Sequence, residues 1–168
     1  QGVLWVEEPF APHDYRSSLE APQLGAVPLA AGENHFTRFE FNRLIADGAV
    51  QVLQPDLSKT GGITEALRIA AMASSEKLQI HPHTSASGLN MSASIHFLAA
   101  IDNPGYFEAD VAKENLFRDA LTSRPDLLDD NGCVMPGDTP GLGVDVDEDF
   151  LRAHPGIGGA AYVWAGMP

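Results

Sequence analysis

Five polar residues follow short apolar runs at nearly regular intervals, and their types suit proton transfer and cation binding. Successive members lie between 23 and 27 residues apart, which is the length of one strand, one helix and two loops. In (β/α) barrels, active sites are built at the C-terminal ends of the strands. The spacing therefore predicts that these side chains meet at one rim. They are Glu7, Glu33, Asp56, His83 and Glu108, in the segments VLWVEEP, VPLAAGEN, VQVLQPD, KLQIHPH and GYFEAD.

Glu7 and Glu33 stand on consecutive predicted strand ends. Neighbouring strands lie about 5 Å apart, so both carboxylates can reach one ion, and hard oxygen ligands of this kind suit Mg²⁺ better than zinc. The alternative is that Glu7 and Glu8 are solvated loop acids and that Glu33 is an acid near a helix N-terminus.

Asp56 and His83 form the second pair. A carboxylate beside an imidazole fixes its tautomer and favours its protonated form, as a general acid or base requires. The alternative is a histidine in an ordinary polar loop. Glu108, at the last predicted strand end, is a candidate to hydrogen-bond a substrate carboxylate or to act on developing negative charge.

Four further polar residues are candidates to line the same pocket and bind the substrate. Asn34 and His35 directly follow Glu33, and His13 lies in the loop after the first predicted strand. Lys59 comes three residues after Asp56, where it can pair with a carboxylate at the barrel mouth.

His81-Pro82-His83 permits a rival interpretation, because two histidines separated by one residue can bind zinc in barrel hydrolases. Pro82 marks the end of the strand, however, and no cysteine or further strand-end histidine accompanies the pair. The sequence favours the proton-transfer interpretation.

Strand and helix patterns alternate along the first part of the chain. This alternation predicts a parallel sheet with right-handed crossovers. Five units are visible, whereas a closed barrel needs eight strands, so the fold class expected is α/β, a partial barrel completed by upstream strands or another chain. The predicted strands are 3–6, 27–31, 50–53, 78–80 and 106–107, and helices are expected from Asp14, Thr37, Thr64, Ser87 and Asp147.

Composition narrows the function classes. The net charge of −13 at pH 7 argues against nucleic-acid binding, because no basic stripe offsets phosphate charge. No apolar run reaches the length of a membrane span. The single cysteine, Cys133, excludes an internal disulfide and favours a cytoplasmic location. The start of the chain lacks a signal-peptide pattern, and Gln1 is interpreted as an internal boundary of a longer protein.

The motifs WVEEP, AAGEN, QPDLSKTGG, IHPH, YFEAD and PGLGVDVD together resemble the mandelate racemase-like subgroup of the enolase superfamily. The resemblance runs over residues 3–147. It implies strands four to eight of a modified (β/α)₇β barrel in residues 1–125, and a C-terminal extension in residues 126–168 that packs on a capping domain absent from this chain.

By position, the resemblance implies that Glu7 and Glu33 are the second and third Mg²⁺ ligands. It implies that Asp56 and His83 are the subgroup's proton-transfer dyad and that Glu108 contacts the substrate carboxylate or its enediolate. The sister group, the muconate cycloisomerase-like enzymes, carries a lysine base on the sixth strand, where this chain has Asp56. The first metal ligand and an opposing lysine are expected upstream of Gln1.

The implied chemistry is Mg²⁺-dependent abstraction of the proton α to a carboxylate in a small-molecule substrate. Dehydration of a sugar acid to a 2-keto-3-deoxy acid is favoured, with racemisation or epimerisation of a 2-hydroxy acid as the alternative. A homo-oligomer is expected. A second class of function is a catalytically incomplete module that acts only with its missing N-terminal part, and the chain alone is expected to be inactive.

Overall fold

The computed structural model of the protein describes residues 2–23, 25–110, 112–123 and 128–156. Consecutive strands are neighbours in one parallel sheet, and a helix follows each of them. The register pairs Glu7 with Ala30 and Leu53 with Ile80. This arrangement confirms the predicted class, part of a (β/α) barrel. The strands are β1 (Val6–Glu7), β2 (Leu29–Ala31), β3 (Val52–Leu53) and β4 (Gln79–Ile80).

Local sequence explains where several helices begin. Asp14, Ser87 and Asp147 each accept a hydrogen bond from the backbone N–H three residues later, as N-cap residues do. Thr37 is the first helical residue of its helix, whose N-cap is Phe36. The helices are α1 (Tyr15–Glu20), α2 (Thr37–Ala46), α3 (Ile63–Ser75), α4 (Gly88–Ala100), α5 (Leu116–Asp119) and α6 (Glu148–Ala153), with a 3₁₀ turn at Ala21–Gln23.

The core lies between the sheet and helices α2, α3 and α4. Phe41 on α2, Ile69 on α3, Leu53 on β3 and Ile80 on β4 are completely buried. Full burial of such a side chain stabilises a fold by about 1.5–3 kcal/mol. This packing holds the strand ends at fixed separations, which a site shared between strands requires.

Two strand predictions were wrong in detail. The first strand was expected to be buried at 3–6, but β1 is an exposed edge strand, since it pairs only with β2 among the described residues. The predicted strand at 106–107 does not form. The chain instead meets β4 through one parallel bridge between Ile80 and Pro104. The next ladder bond would need an N–H at Pro82, which has none, and the Tyr106 N–H donates to the His81 side chain at 3.0 Å.

Part of the predicted extension lies against the barrel helices. The backbone oxygen of Leu142 accepts hydrogen bonds from Ser92 and His96 on α4, and Thr122 forms an antiparallel bridge with Val146. Packing of residues 126–168 on a capping domain stays a prediction, and the tail from 157 to 168 lies outside the described residues. Within the described ranges, no helix is both long enough and apolar enough to cross a membrane.

Candidate active site

Asp56 and His83 are joined directly at the ends of β3 and β4. The Nδ1 atom of His83 lies 2.8 Å from Oδ2 of Asp56. The Asp56 side chain is completely buried and that of His83 is 9% exposed. Nδ1 therefore carries the hydrogen toward the carboxylate, and Nε2 is left as the atom that can exchange a proton with a substrate.

The second oxygen of Asp56 is held by residues that the sequence analysis missed. Oδ1 accepts the Ser58 backbone N–H at 2.8 Å, the Ser58 hydroxyl at 2.6 Å and the Asn90 amide at 3.1 Å. Ser58 follows Asp56 by two residues, a spacing typical of an Asx turn, so a local signal existed. Asn90 lies on α4, and nothing local in the sequence connects it to Asp56.

The dyad has complementary charge states. The hydrogen bond to Asp56 raises the pKa of His83 above its ordinary value despite burial, and the negative charges of Glu33 and Glu108 raise it further. Burial opposes ionisation of Asp56, but the hydrogen bonds from His83 and Ser58 outweigh it and hold the Asp56 pKa below its ordinary value. The arrangement therefore favours an imidazolium beside a carboxylate.

Glu33, three residues beyond the middle of β2, also reaches His83. Its Oε2 atom lies 3.1 Å from His83 Nε2. The Nζ atom of Lys59 lies 3.8 Å from Glu33 Oε1 and 3.9 Å from Asp56 Oδ2. The predicted pairing of Lys59 with carboxylates at the rim is therefore present in the geometry, and its role in substrate binding stays a prediction.

Glu108 lies near His83 and Glu33, in the segment that follows the bridge between Ile80 and Pro104. Its Oε2 atom accepts the Thr84 backbone N–H at 3.0 Å, and its backbone oxygen accepts the Thr84 hydroxyl. Burial raises the pKa of Glu108, and the charges of Glu7 and Glu33 raise it further. A carboxyl group whose pKa is raised holds its proton more readily and can donate it in a hydrogen bond.

Glu7 is tied to β3 rather than directly to Glu33. Its Oε2 atom accepts the Gln54 amide at 2.8 Å. Gly32 permits this close packing, since a Cβ there would lie 2.5 Å from the Gln54 carbonyl carbon. Gln54 is a further residue that the sequence analysis missed, and its place directly after β3 was the only available signal.

The chemistry of these donors fits part of a magnesium site. Glu7 and Glu33 supply hard oxygens, and both charges act on Glu108, so three carboxyl groups share one region that a cation would neutralise. Among the residues that the structure describes, no group of three or more histidine, cysteine, aspartate or glutamate side chains is arranged to hold a metal ion. Glu7 and Glu33 as ligands of a magnesium ion therefore stay a prediction.

Three predicted substrate-binding residues lie beside this group and not at its centre. Asn34 donates to Glu8 at 2.7 Å and lies 3.4 Å from Glu33 Oε1. His13 and His35 line, with Asn34, a cavity of about 340 Å³ between the β1–α1 and β2–α2 loops, and neither Glu33 nor His83 lines it. Their role in substrate binding stays a prediction.

The two histidines of the HPH motif have different surroundings. His81 is buried, and its ring contacts those of Trp5 and Tyr106, with centroids 5.1 and 5.4 Å away. Its Nδ1 accepts the Tyr106 N–H, and burial lowers its pKa. Since His81 is neutral and His83 is paired with Asp56, the geometry favours separate roles over shared zinc ligation.

Known proteins are similar to this chain in sequence and in fold. A family model described as enolase C-terminal domain-like matches residues 1–150. The D-galactonate dehydratase of Klebsiella pneumoniae (strain 342) is 36% identical over 152 residues, which cover 87% of this chain and 39% of that protein. The chain thus spans about two fifths of the length of the curated relatives it matches.

Solved structures agree with that match. A member of the enolase superfamily from Polaromonas sp. JS666 superposes with a TM-score of 0.85 at 53% identity, covering 95% of this chain and 42% of that one. A mandelate racemase/muconate lactonizing enzyme from Sulfitobacter sp. gives a TM-score of 0.82 at 36% identity, covering 94% and 39%. The resemblance drawn from the motifs is confirmed, and the chain belongs to the enolase C-terminal domain-like family, in the mandelate racemase-like part of the enolase superfamily.

Proposed function

We propose that the protein containing this chain is a Mg²⁺-dependent lyase that dehydrates a sugar acid to a 2-keto-3-deoxy acid. The contact between buried Asp56 and His83 carries the proposal, because it supplies a protonated imidazole whose Nε2 faces the proposed metal carboxylate Glu33. The similarity to D-galactonate dehydratases supports the substrate class, and D-galactonate is the first compound to test.

His83 acts as the acid in this reaction. Removal of the α-proton, by a base expected outside this chain, leaves an enediolate. His83 gives its Nε2 proton to the departing β-hydroxyl, the C–O bond breaks, and water and an enol are formed. The enol then tautomerises to the 2-keto acid, as its β-carbon gains a proton and its hydroxyl oxygen loses one to solvent. The raised pKa of His83 supports its acid form at neutral pH.

Glu108 and the carboxylate pair act on the other end of the substrate. Glu108 lies where it can hydrogen-bond the substrate carboxylate when it carries a proton, and burial raises its pKa in that direction. Bound Mg²⁺, held in part by Glu7 and Glu33, would offset the charge of the enediolate. Lys59 is assigned to the rim of the site, where it balances the charge of Glu33 and Asp56.

The proposal is tested by incubating the full-length protein and Mg²⁺ with a panel of aldonic and aldaric acids and measuring 2-keto acid formation. Turnover of at least one sugar acid is expected. A folded, magnesium-loaded protein that turns over none of them contradicts the dehydratase assignment.

Racemisation or epimerisation is the second candidate, because His83 can return its proton to the α-carbon instead of to a leaving hydroxyl. The two reactions separate in heavy water. A racemase exchanges the α-hydrogen for deuterium in recovered substrate and forms no keto acid, whereas a dehydratase forms keto acid.

A further inference from the structure

Glu8 directly follows the proposed metal ligand Glu7 and has an unusual backbone. Its φ of 36° lies in the left-handed region, which residues other than glycine rarely adopt. Such a conformation persists only where the surroundings hold it. The Glu8 N–H donates to Ala30 at 2.9 Å, which keeps the residue attached to β2. Glu7 and Glu8 thereby reach different partners, Gln54 and Asn34 respectively.

The Glu8 carboxylate holds the amide that faces Glu33. Glu8 Oε2 accepts from Asn34 Nδ2 at 2.7 Å, and the same nitrogen lies 3.4 Å from Glu33 Oε1. An amide nitrogen carries two hydrogens, so Asn34 can serve both carboxylates at once. The shorter bond to Glu8 is charge-assisted and fixes the amide. The remaining hydrogen is then presented to Glu33.

The other carboxylate oxygen of Glu8, Oε1, has different surroundings. Glu8 Oε1 and His35 Nδ1 are buried and make no direct hydrogen bond within the described residues. Both residues line a cavity of about 20 Å³, a size that accommodates one water molecule. Within the described residues, Oε1 therefore has no partner that competes with the hydrogen bond that Asn34 donates to Oε2.

We propose that Glu8 is a positioning residue that, through Asn34, fixes the Glu33 carboxylate for cation binding. The inference rests on the proposed function, which makes Glu33 a metal ligand. It also changes the predicted role of Asn34 from substrate binding to support of Glu33. Partners that orient a metal ligand typically contribute about 10- to 100-fold to metal affinity.

The test is calorimetric Mg²⁺ binding by the full-length protein without substrate. Glu8→Ala removes the acceptor for Asn34 and is expected to weaken Mg²⁺ binding about tenfold. Glu8→Gln keeps a neutral oxygen that accepts the same bond and is expected to lose less Mg²⁺ affinity than Glu8→Ala does. Glu76→Ala, at an exposed residue after α3, is the matched control. Circular dichroism verifies folding of each variant.

Asn34→Ala supplies the second arm, and it keeps the test decisive if Glu8→Ala does not fold, because Asn34 is exposed. Its loss of Mg²⁺ affinity should match that of Glu8→Ala, and the double variant should lose no more than either single variant. Losses that add would show independent roles and overturn the inference.

Glu33→Gln separates the inference from the proposed function. If Glu33→Gln loses Mg²⁺ binding while Glu8→Ala and Asn34→Ala retain it, the positioning role is wrong and the metal assignment stands. If Glu33→Gln binds Mg²⁺ as the wild type does, the metal assignment itself is wrong. A raised substrate KM in Asn34→Ala at saturating Mg²⁺, with unchanged Mg²⁺ affinity, would return Asn34 to substrate binding.

Discussion

The Nδ1 atom of His83 lies 2.8 Å from Oδ2 of Asp56, although 27 positions separate the two residues in the chain. Both side chains are buried, and each favours the charged form of the other. One contact between the ends of β3 and β4 therefore favours the protonated form of His83 and orients its ring.

His83→Asn should reduce kcat by about 10²- to 10⁴-fold, the contribution typical of a positioned acid or base. Mg²⁺ affinity should change little, because His83 is assigned to proton transfer and not to the metal. Steady-state kinetics and calorimetry on the full-length protein measure the two effects. His154→Asn, at an exposed residue after α6, is the control. Loss of metal binding in His83→Asn would contradict a role limited to proton transfer and would show that His83 supports the metal site, as a ligand or through Glu33.

Asp56→Asn should lower the pKa of His83, because it removes the hydrogen-bonded carboxylate that raises it most. The acid form of His83 then disappears at lower pH, so the alkaline limb of the kcat profile should shift to lower pH. The pH profile of kcat is measured with the sugar acid that the wild type turns over fastest. A profile that does not move would mean that His83 is not the acid that limits turnover.

Stability should also depend on pH through this pair. The folded pKa of His83 is above its ordinary value of 6.5, so its stabilising effect is complete below that pH and is lost as pH rises through the folded pKa. The folded pKa of Asp56 is below 3.8, so its effect is present above that pH and is lost as pH falls through the folded pKa.

The wild type should therefore exceed His83→Asn in free energy of unfolding by more at about pH 6 than at about pH 9. Denaturant titrations of both proteins at the two pH values measure the difference. An equal difference at both would show that the ion pair does not contribute to folding.

Gly105→Ala should destabilise the fold by about 1–3 kcal/mol, as overpacked substitutions do. A Cβ at Gly105 would lie 2.2 Å from Nε2 of His81, whose ring is confined by Trp5 and Tyr106. Gly137→Ala is the matched control, since nothing lies within 4 Å of its added Cβ. Equal unfolding free energies for the two variants would show that the His81 ring can shift to accommodate the added methyl group.

Lys59→Met should lower kcat by less than about tenfold, because a half-exposed lysine nearly 4 Å from its partners contributes about 0–1 kcal/mol. Steady-state kinetics at saturating Mg²⁺ measure the change, and Arg16→Met, at an exposed residue on α1, is the control. Abolished turnover in Lys59→Met with intact folding would favour Lys59 as a base.

The predicted helices were most accurate where a local signal was strong. Asp14 and Ser87 were expected to begin helices and do so as N-caps, because capping involves only residues within one turn. The predicted strand at 106–107 does not form, and that prediction rested only on an aromatic, apolar pair of residues. The Tyr106 N–H is instead bound by His81, a contact between residues 25 positions apart.

The amino-acid sequence by itself determined the order of strands and helices and the residue type at each strand end. Both follow from hydrophobic periodicity and turn residues, which act over a few neighbours. The tertiary structure alone decided which side chains support these residues. Asn90 reaches Asp56, Gln54 reaches Glu7 and Asn34 joins Glu8 to Glu33 only because packing of α3 and α4 on the sheet sets the spacing of the strand ends. Side-chain distances between remote segments depend on the whole packed core, and no local pattern encodes them.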